Sequence, residues 1–542
     1  MVIYTDIFVS ISGSNIMKTA DLLSDLKKTG RKIFFAFVIV GLASLGVYLF
    51  IGDGILFNFA QKNNLDVKIR TDDEVLNIGY AFSPDSLEPT HFDQVTRNYL
   101  VQIYEGLVRT DGNLNIKPGL AVSWGLLDPL TWEFRLRPGV KFHNGKVLEI
   151  KDVIYSLNRA ADYEDSQLKN LLNTIESVEF DGFDKIIIHT RVADPLLLNK
   201  LAVTLIFPDG YEDFGVPVGT GPYEFITYEN GEMQLERNEE YFGPLPAFKK
   251  VNLKGILDKN ERLAAFENGE IQLLANVPPA AACAECEQIQ SENVVIKSIP
   301  SLEVSFLMFN LQNPLFAQHY VREALTHAFD VGVFQNIAFG FAKPSSQFVS
   351  SGVFGFDPNI EEKKLDMDSA KKMIADVIGK SFDRIVVVFD YPEGLDTIGQ
   401  YVQSQLADLE IDVQLNPLSS AALQQKILSG ESDFYFLGWR SELGDASDLL
   451  LSIAHSRDIF RGYGLYNGSN YMNKKVDQLI EASEENLDLE ERLAQIQESM
   501  KIITDEDIIG VPLFESEIIF AYSKDLGFEP RVDGYVVASE IT

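Results

Sequence analysis

Apolar and polar residues alternate most regularly between Trp132 and Arg137, where Trp132, Phe134 and Leu136 interleave with Glu133, Arg135 and Arg137. A period of two describes a strand with one face buried and one wet. Arg137-Pro138-Gly139 then turns the chain, Val140-Lys141-Phe142 resumes the strand, and His143-Asn144-Gly145 closes a hairpin, its glycine free to take a positive φ. Ile150, Val153, Ile154 and Leu157 follow at helical spacing, the stripe of a helix with one face against a core.

The same two periods run through the rest of the chain. Leu76, Ile78 and Tyr80 alternate with Asn77 and Gly79, which predicts a first strand, and 96–107 is patterned as a helix. A strand pair is predicted at 175–180 and 185–189, a hairpin at Asn230-Gly231, and a helix over 262–268 ended by Gly269. A strand at 270–273, an alternating run at 304–308 and a helix over 321–330 come next. Helices at 369–377 and 397–409 then alternate with strands at 385–389, 411–415 and 433–439, a rhythm that argues for α/β layering. Helices at 476–480 and 490–503 lead to closing strands from Val511.

One run breaks both periods. From Ile33 to Ile51 there is no charge, while Lys18, Lys27, Lys28, Arg31 and Lys32 crowd its upstream side. Nineteen residues at about 1.5 Å each span roughly the 30 Å hydrocarbon layer. The basic flank should stay cytoplasmic, with 1–32 inside, 52–73 a linker and the remainder outside. A cleaved signal has a shorter apolar core and a small-residue site after it; neither is present, so the spacing favours an uncleaved single-pass anchor. The net charge of −34 excludes nucleic acid as a partner, because phosphate binding needs a basic surface. Cys283 and Cys286 fit a local disulfide or two inert thiols, since one C-x-x-C is half a zinc site.

The chemistry of catalysis is absent from the motifs. Histidines 91, 143, 189, 319, 327 and 455 are scattered, without His-x-His or His-Glu-x-x-His spacing, and no G-x-S-x-G elbow or phosphate loop occurs. Ser369-Ala370-Lys371-Lys372 fits S-x-x-K, but its Lys-Thr-Gly partner exists only at 28–30, across the expected membrane. No cofactor, no metal and no enzymatic activity are expected.

The ordered series Glu105-Gly106-Leu107, Asp111-Gly112, Pro118-Gly119-Leu120-Ala121, Ser123-Trp124, Trp132 to Gly145 and Asp152 to Leu157 is more specific. It resembles the signature region of the bacterial extracellular solute-binding proteins of family 5, the dipeptide-, oligopeptide- and nickel-binding group. Gly219-Thr220-Gly221-Pro222-Tyr223 and the helix from Val321 to Asp330 resemble further family signatures, so the likeness covers roughly 75–530. It implies an α/β, two-lobed periplasmic-binding-protein-like clamp (type II) with an inserted subdomain, preceded here by the transmembrane helix. The implied lobe I is 74–108, 219–299 and 512–542, the inserted subdomain 109–218, and lobe II 300–511.

The resemblance also implies a site. The loop from Phe82 to Pro89, with Ser83, would border the cleft, although Glu88 stands where the family usually has aspartate. Gly438-Trp439-Arg440-Ser441-Glu442 occupies the place of the family's Gly-Trp-x-x-Asp loop. There the tryptophan walls the pocket and the acid pairs with a peptide ammonium. Glu442 is one methylene longer than that aspartate, which weakens the peptide reading, and Asp445 is a second candidate. Ser83, Trp439, Arg440, Glu442 and Asp445 are thus the expected ligand residues, and Gly219, Thr220 and Gly221 the expected hinge. The implied function is capture of a short peptide by a monomer that hands it to an ABC permease and its ATPase subunits. The alternatives are a membrane-tethered sensor, or a binding protein for a nickel complex or an oligosaccharide.

Overall fold

The computed structural model describes residues 74–182, 184–282, 289, 292–375 and 385–542. The apolar run 33–51 with its flanks, and the pair Cys283 and Cys286, lie outside the described residues. Among the described residues no helix is long and apolar enough to cross a membrane.

The described strands are, in chain order, β1 (Val75–Tyr80), β2 (Val108–Thr110), β3 (Ile116–Pro118), β4 (Ala121–Asp128), β5 (Thr131–Leu136) and β6 (Ile175–Phe180). They continue with β7 (Lys185–Thr190), β8 (Tyr223–Glu229), β9 (Glu232–Arg237), β10 (Lys250–Gly255), β11 (Leu273–Leu274) and β12 (Val294–Phe309). The last are β13 (Ala342–Pro344), β14 (Ile385–Pro392), β15 (Ile411–Leu418), β16 (Phe434–Arg440) and β17 (Gly510–Ser523). One sheet runs β15-β14-β16-β12-β17-β11-β1-β10-β9-β8, with β13 added to β17. A separate sheet, β4-β5-β7-β6, is antiparallel and packs against the helix Ile150–Asp162. β14 lies parallel to β15 and β16, and β1 parallel to β10 and β11, as helical crossovers require.

The large sheet has two halves, and β12 and β17 belong to both. Val294 to Pro300 pairs with Ser523 to Glu517 beside β11, and Val304 to Met308 pairs with Glu515 to Gly510 beside β16. Between Pro300 and Val304 the register shifts. Each half has its own core. Leu76, Ile78, Tyr223 and Val251 lie in one; Phe309, Val387, Phe389 and Phe434 lie in another.

Several elements differ from the sequence pattern. The helix predicted to Leu107 ends at Leu100, because Glu105 pairs with Ile206 and Gly106 is packed against the Leu201 carbonyl. Val140-Lys141-Phe142 makes a single bridge, Lys141 with Val147. The partners of β5 are β7 and β4, and the mostly exposed residues of β4 carry no alternation. The run at 304–308 is the end of a strand of 16 residues.

Gly219-Thr220-Gly221, the expected hinge, joins the four-stranded layer to the first half of the large sheet and is tightly packed there. A Cβ on Gly219 would lie 2.0 Å from the Ile103 carbonyl oxygen, and Gly221 N–H donates to that oxygen at 2.8 Å. The strands that cross between the two sheet halves lie elsewhere, in β12 and β17. Thr220 Oγ1 and Tyr241 Oη both donate to Glu105 at 2.9 Å. Burial pushes the Glu105 carboxyl up to about 7 against those two bonds. His143 spans the turn: Nδ1 accepts from Gly219 N–H at 3.4 Å and Nε2 lies 3.0 Å from the Gly221 carbonyl oxygen. That arrangement needs a neutral ring with its proton on Nε2.

Burial accordingly pushes His143 down from 6.5 to about 4. The unfolded chain therefore takes up a proton first as pH falls. The stabilisation is complete above pH 6.5 and is lost as pH drops towards 4. At about 1.4 kcal/mol per pKa unit it amounts to as much as about 3 kcal/mol. Urea unfolding between pH 7 and pH 4 should show wild type losing that much relative to His143→Gln, which donates similarly and does not titrate. Parallel pH profiles would count against this assignment.

Candidate functional site

β16 is buried along its whole length, with β12 on one side and β14 on the other. A central strand covered on both faces reads as a near-continuous apolar run, and Phe434-Tyr435-Phe436-Leu437-Gly438-Trp439 does so. Trp439 is 1% exposed. Its ring meets Tyr466 edge-on at 5.8 Å, and Nε1 donates to Asp448 Oδ2 at 3.4 Å. Burial, reinforced by the charges of Asp445 and Glu442, holds the Asp448 carboxyl well above its usual range.

Arg440 ends β16 and faces Glu303 across the ladder. Its Nη2 donates to the Asp533 carbonyl oxygen at 2.7 Å, and its Nε lies 3.1 Å from Glu442 Oε1. That contact is an ion pair without an aligned hydrogen bond, so Arg440 Nε and Glu442 Oε1 are both enclosed without a hydrogen-bond partner. Burial raises the Glu442 pKa, and the carboxylates of Asp533 and Asp93 push the same way; Arg440 opposes them. Glu303 is buried too, and its Oε1 has no hydrogen-bond partner.

The opposing wall comes from the other half of the sheet. Arg531 fixes the C-terminal segment by donating to Asp533 (2.7 Å), to Glu540 (3.2 Å) and to the Thr110 carbonyl (3.3 Å). Asp533 is thereby held where its carbonyl meets Arg440, and Tyr535 where its field reaches both Arg440 and Glu442. Helix Gln94–Leu100, capped by Asp93, adds Arg97, which donates to the Val203 carbonyl and lies over the Phe92 ring. The loop after Arg440 also reaches the smaller layer. Asn199 Nδ2 donates to the Leu443 carbonyl at 3.1 Å, and Gly444, at φ +70°, packs on Leu114.

The structure therefore brings Arg440 and Glu442 together and places the other expected residues differently. Asp445 gives both oxygens to Arg492, at 2.6 and 2.9 Å, and accepts from Ser447 N–H at 3.0 Å. Arg492 also donates to the Ser483 carbonyl and lies over Phe354. That pair braces the loop and leaves Asp445 no free acceptor face. Ser83 sits apart, with its Cβ 2.6 Å from where a Cβ on Gly255 would stand and its Oγ beside Gly231. The gathering of Glu303, Asp533, Tyr535, Arg97 and Asp93 around Arg440 and Glu442 was not legible in the sequence. Their one signal is an acid among apolar neighbours at Leu302-Glu303-Val304, and nothing local ties it to residue 440. Among the described residues no group of three or more metal-binding side chains could hold an ion.

Removing one member of a buried ion pair leaves the other charge uncompensated and typically costs about 3–5 kcal/mol. Asp445→Ala should lower the unfolding free energy by that amount in chemical denaturation, and Asp445→Leu with Arg492→Met should recover most of it. A loss below about 1 kcal/mol, the range of exposed pairs, would show that the brace is dispensable.

Comparison with known proteins agrees with this architecture. Residues 115–460 match the family described as Bacterial extracellular solute-binding proteins, family 5 Middle. The glutathione-binding protein GsiB of Escherichia coli strain K12 is 24% identical over 489 residues, 84% of this chain and 91% of that protein. The fold is similar to that of DppA from Helicobacter pylori, an ABC transporter-associated periplasmic binding protein in complex with the peptide STSA. Its TM-score is 0.69 and its identity 24%, over 86% of this chain and 97% of the other. It is similar also to NikA from Staphylococcus aureus in complex with Ni(L-His)2, with a TM-score of 0.67 and 22% identity over 86% and 99% of the two chains. The α/β architecture is thus that of the periplasmic binding proteins. With the family match spanning more than half of its length, this chain belongs to the bacterial extracellular solute-binding proteins, family 5, and is a binding protein, not an enzyme.

Proposed function

We propose that the protein captures short peptides with a free amino end outside the cytoplasm and passes them to an ABC permease driven by separate ATPase subunits. The observation that carries the reading is Glu442, enclosed just beyond β16, its Oε1 ion-paired with Arg440 without an aligned hydrogen bond, beside groups from the other half of the sheet. A carboxylate in a water-poor cleft holds an ammonium far more strongly than one in water. The names of the relatives support this chemistry, because glutathione and the peptide STSA both combine peptide bonds with a free ammonium. Lobe I would be 74–108, 219–299 and 512–542, lobe II 300–511, and 109–218 the inserted subdomain. Closure would bend β12 and β17 where their register breaks, and a ligand touching both lobes would stabilise the closed state.

Titration calorimetry with a peptide and its N-acetylated form tests the reading. Breaking a desolvated charge pair costs about 2–5 kcal/mol, or more than tenfold in Kd at 1.4 kcal/mol per factor of ten. Acetylation should weaken binding to wild type by that factor and have little further effect on Glu442→Gln. Equal affinities of wild type for the two peptides would remove Glu442 as the ammonium anchor.

The anchor proposed for 33–51 has its own test. Proteolysis of intact cells should shave off the large domain and leave the first thirty residues protected. A mature chain beginning after residue 51 would overturn the anchor and leave export standing.

A further inference from the structure

The groups around Arg440 do not balance in charge. Glu303 faces Arg440 across the β12–β16 ladder, at the register shift between β12 and β17. Glu442 takes the Nε side of the same guanidinium, and Nη2 goes to a carbonyl rather than to an acid. Glu442 alone forms the ion pair with that guanidinium, while Glu303 is buried, feels the Arg440 charge without an ion pair of its own, and keeps Oε1 without a hydrogen-bond partner. One positive charge can neutralise one carboxylate. The second carries either a proton or someone else's cation, because an isolated buried charge is too costly to persist.

The neighbours do not supply that cation. Asp533 is engaged by Arg531, and Asp93 and Tyr535 add negative or neutral character beside Glu442. Arg97 keeps its positive charge and acts on Glu442, with Nη2 on the Val203 carbonyl and Nε and Nη1 enclosed without hydrogen-bond partners, but the cation that reaches Glu303 is Arg440. On β17, Glu515 accepts from Ser351, and Glu517 accepts from Ser298 and pairs with Lys343 at 3.4 Å. Behind Trp439 lies a further acid, Asp448. The charges that act on Glu303 are those of Arg440, already paired with Glu442, and of Glu442 itself.

We infer that Glu303 is a second carboxylate of the ligand site, protonated while the closed site is empty and giving that proton to solvent when a ligand's positive charge takes its place. The inference rests on the solute-binding reading of Glu442 and specifies it: the preferred solute carries a positive charge beyond its terminal ammonium, as a lysine- or arginine-containing peptide does. Capture of such a solute releases one proton, and capture of a neutral peptide releases none.

Two measurements on the full chain test this. Infrared difference spectra at pH 7 between wild type and Glu303→Gln should show a protonated carboxyl stretch in wild type that the variant lacks. In wild type that band should fade as pH rises through about 8, where burial places the Glu303 carboxyl. Absence of the band overturns the inference without recourse to any variant. The second measurement is retention from an equimolar tripeptide mixture, read by mass spectrometry. Wild type should enrich lysine- and arginine-containing peptides about tenfold or more over neutral ones, and Glu303→Gln should lose the enrichment while keeping neutral peptides. Retention by wild type without charge bias overturns the inference and leaves the peptide reading intact. Retention of no peptide overturns the peptide reading, and the infrared band then decides the proton on Glu303.

Discussion

The ladder between β12 and β17 is the constraint on which the rest of this molecule depends. The two strands run for 16 and 14 residues, where strands usually run for about five or six. They pair with each other along both halves of the large sheet, β17 adding β11 on one side and β12 adding β16 on the other. The last nine residues of β12, and nearly all of β17, are buried, so each strand is held by packing as well as by its ladder. At Pro300 the chain lacks a backbone donor, and over the next residues the register shifts. Irregularities of this kind bend a strand and re-aim its side chains. Glu303 lies within this irregular stretch and is buried there.

That geometry makes Arg440 the meeting point of distant segments. Its own strand, the break in β12 and the C-terminal segment converge on one guanidinium, and Arg531 keeps the last of these in place. A planar guanidinium with five donors suits such a position better than a lysine, which offers one compact charge. Asp445 and Arg492 do the complementary work on the far side of the loop, as a buried pair with nearly all its valences satisfied. The two arginines differ in what they leave open. Around Arg492 the acid is saturated; around Arg440 one oxygen each of Glu442 and Glu303 lacks an aligned hydrogen bond.

How far this was legible in the sequence follows from the range of the interactions. Period-two and helical stripes reported elements whose one face is buried, so β5, β14, β15 and the helices around them were readable. β4 was not, because its residues are exposed along most of its length and an unburied strand leaves no alternation. The motif at Gly438-Trp439 located the loop, and Glu442 was found by its offset within it. Asp445 looked equivalent at that level. Only the structure supplies Arg492, 47 residues away, which takes both of its oxygens. The glycines of Gly219-Thr220-Gly221 read as a turn, and the resemblance to the family's return between lobes made that turn the expected hinge. In the fold those glycines serve close packing on Ile103, which leaves the same trace in a sequence. Glu303 and Asp533 lie so far from residue 440 in the chain that no local pattern could join them.

The charge count at Arg440 also bears on how the two halves move. Two unit charges 4 Å apart interact with about 4 kcal/mol at the effective dielectric typical of a protein site. Shifting a two-state equilibrium from almost all open to almost all closed takes about 5.5 kcal/mol of preferential binding. One uncompensated carboxylate is therefore comparable in size to the whole bias needed for closure. With both acids ionised, enclosure around Arg440 is opposed by the second negative charge. With that charge cancelled, the carbonyl of Asp533 and the packing of Leu443 and Gly444 on the smaller layer favour it. In the proposed function the site that would recognise the ligand and the strand break that would permit bending are thus the same few residues. Electrostatic balance at Arg440 can act directly on the angle between the halves, with no intervening relay.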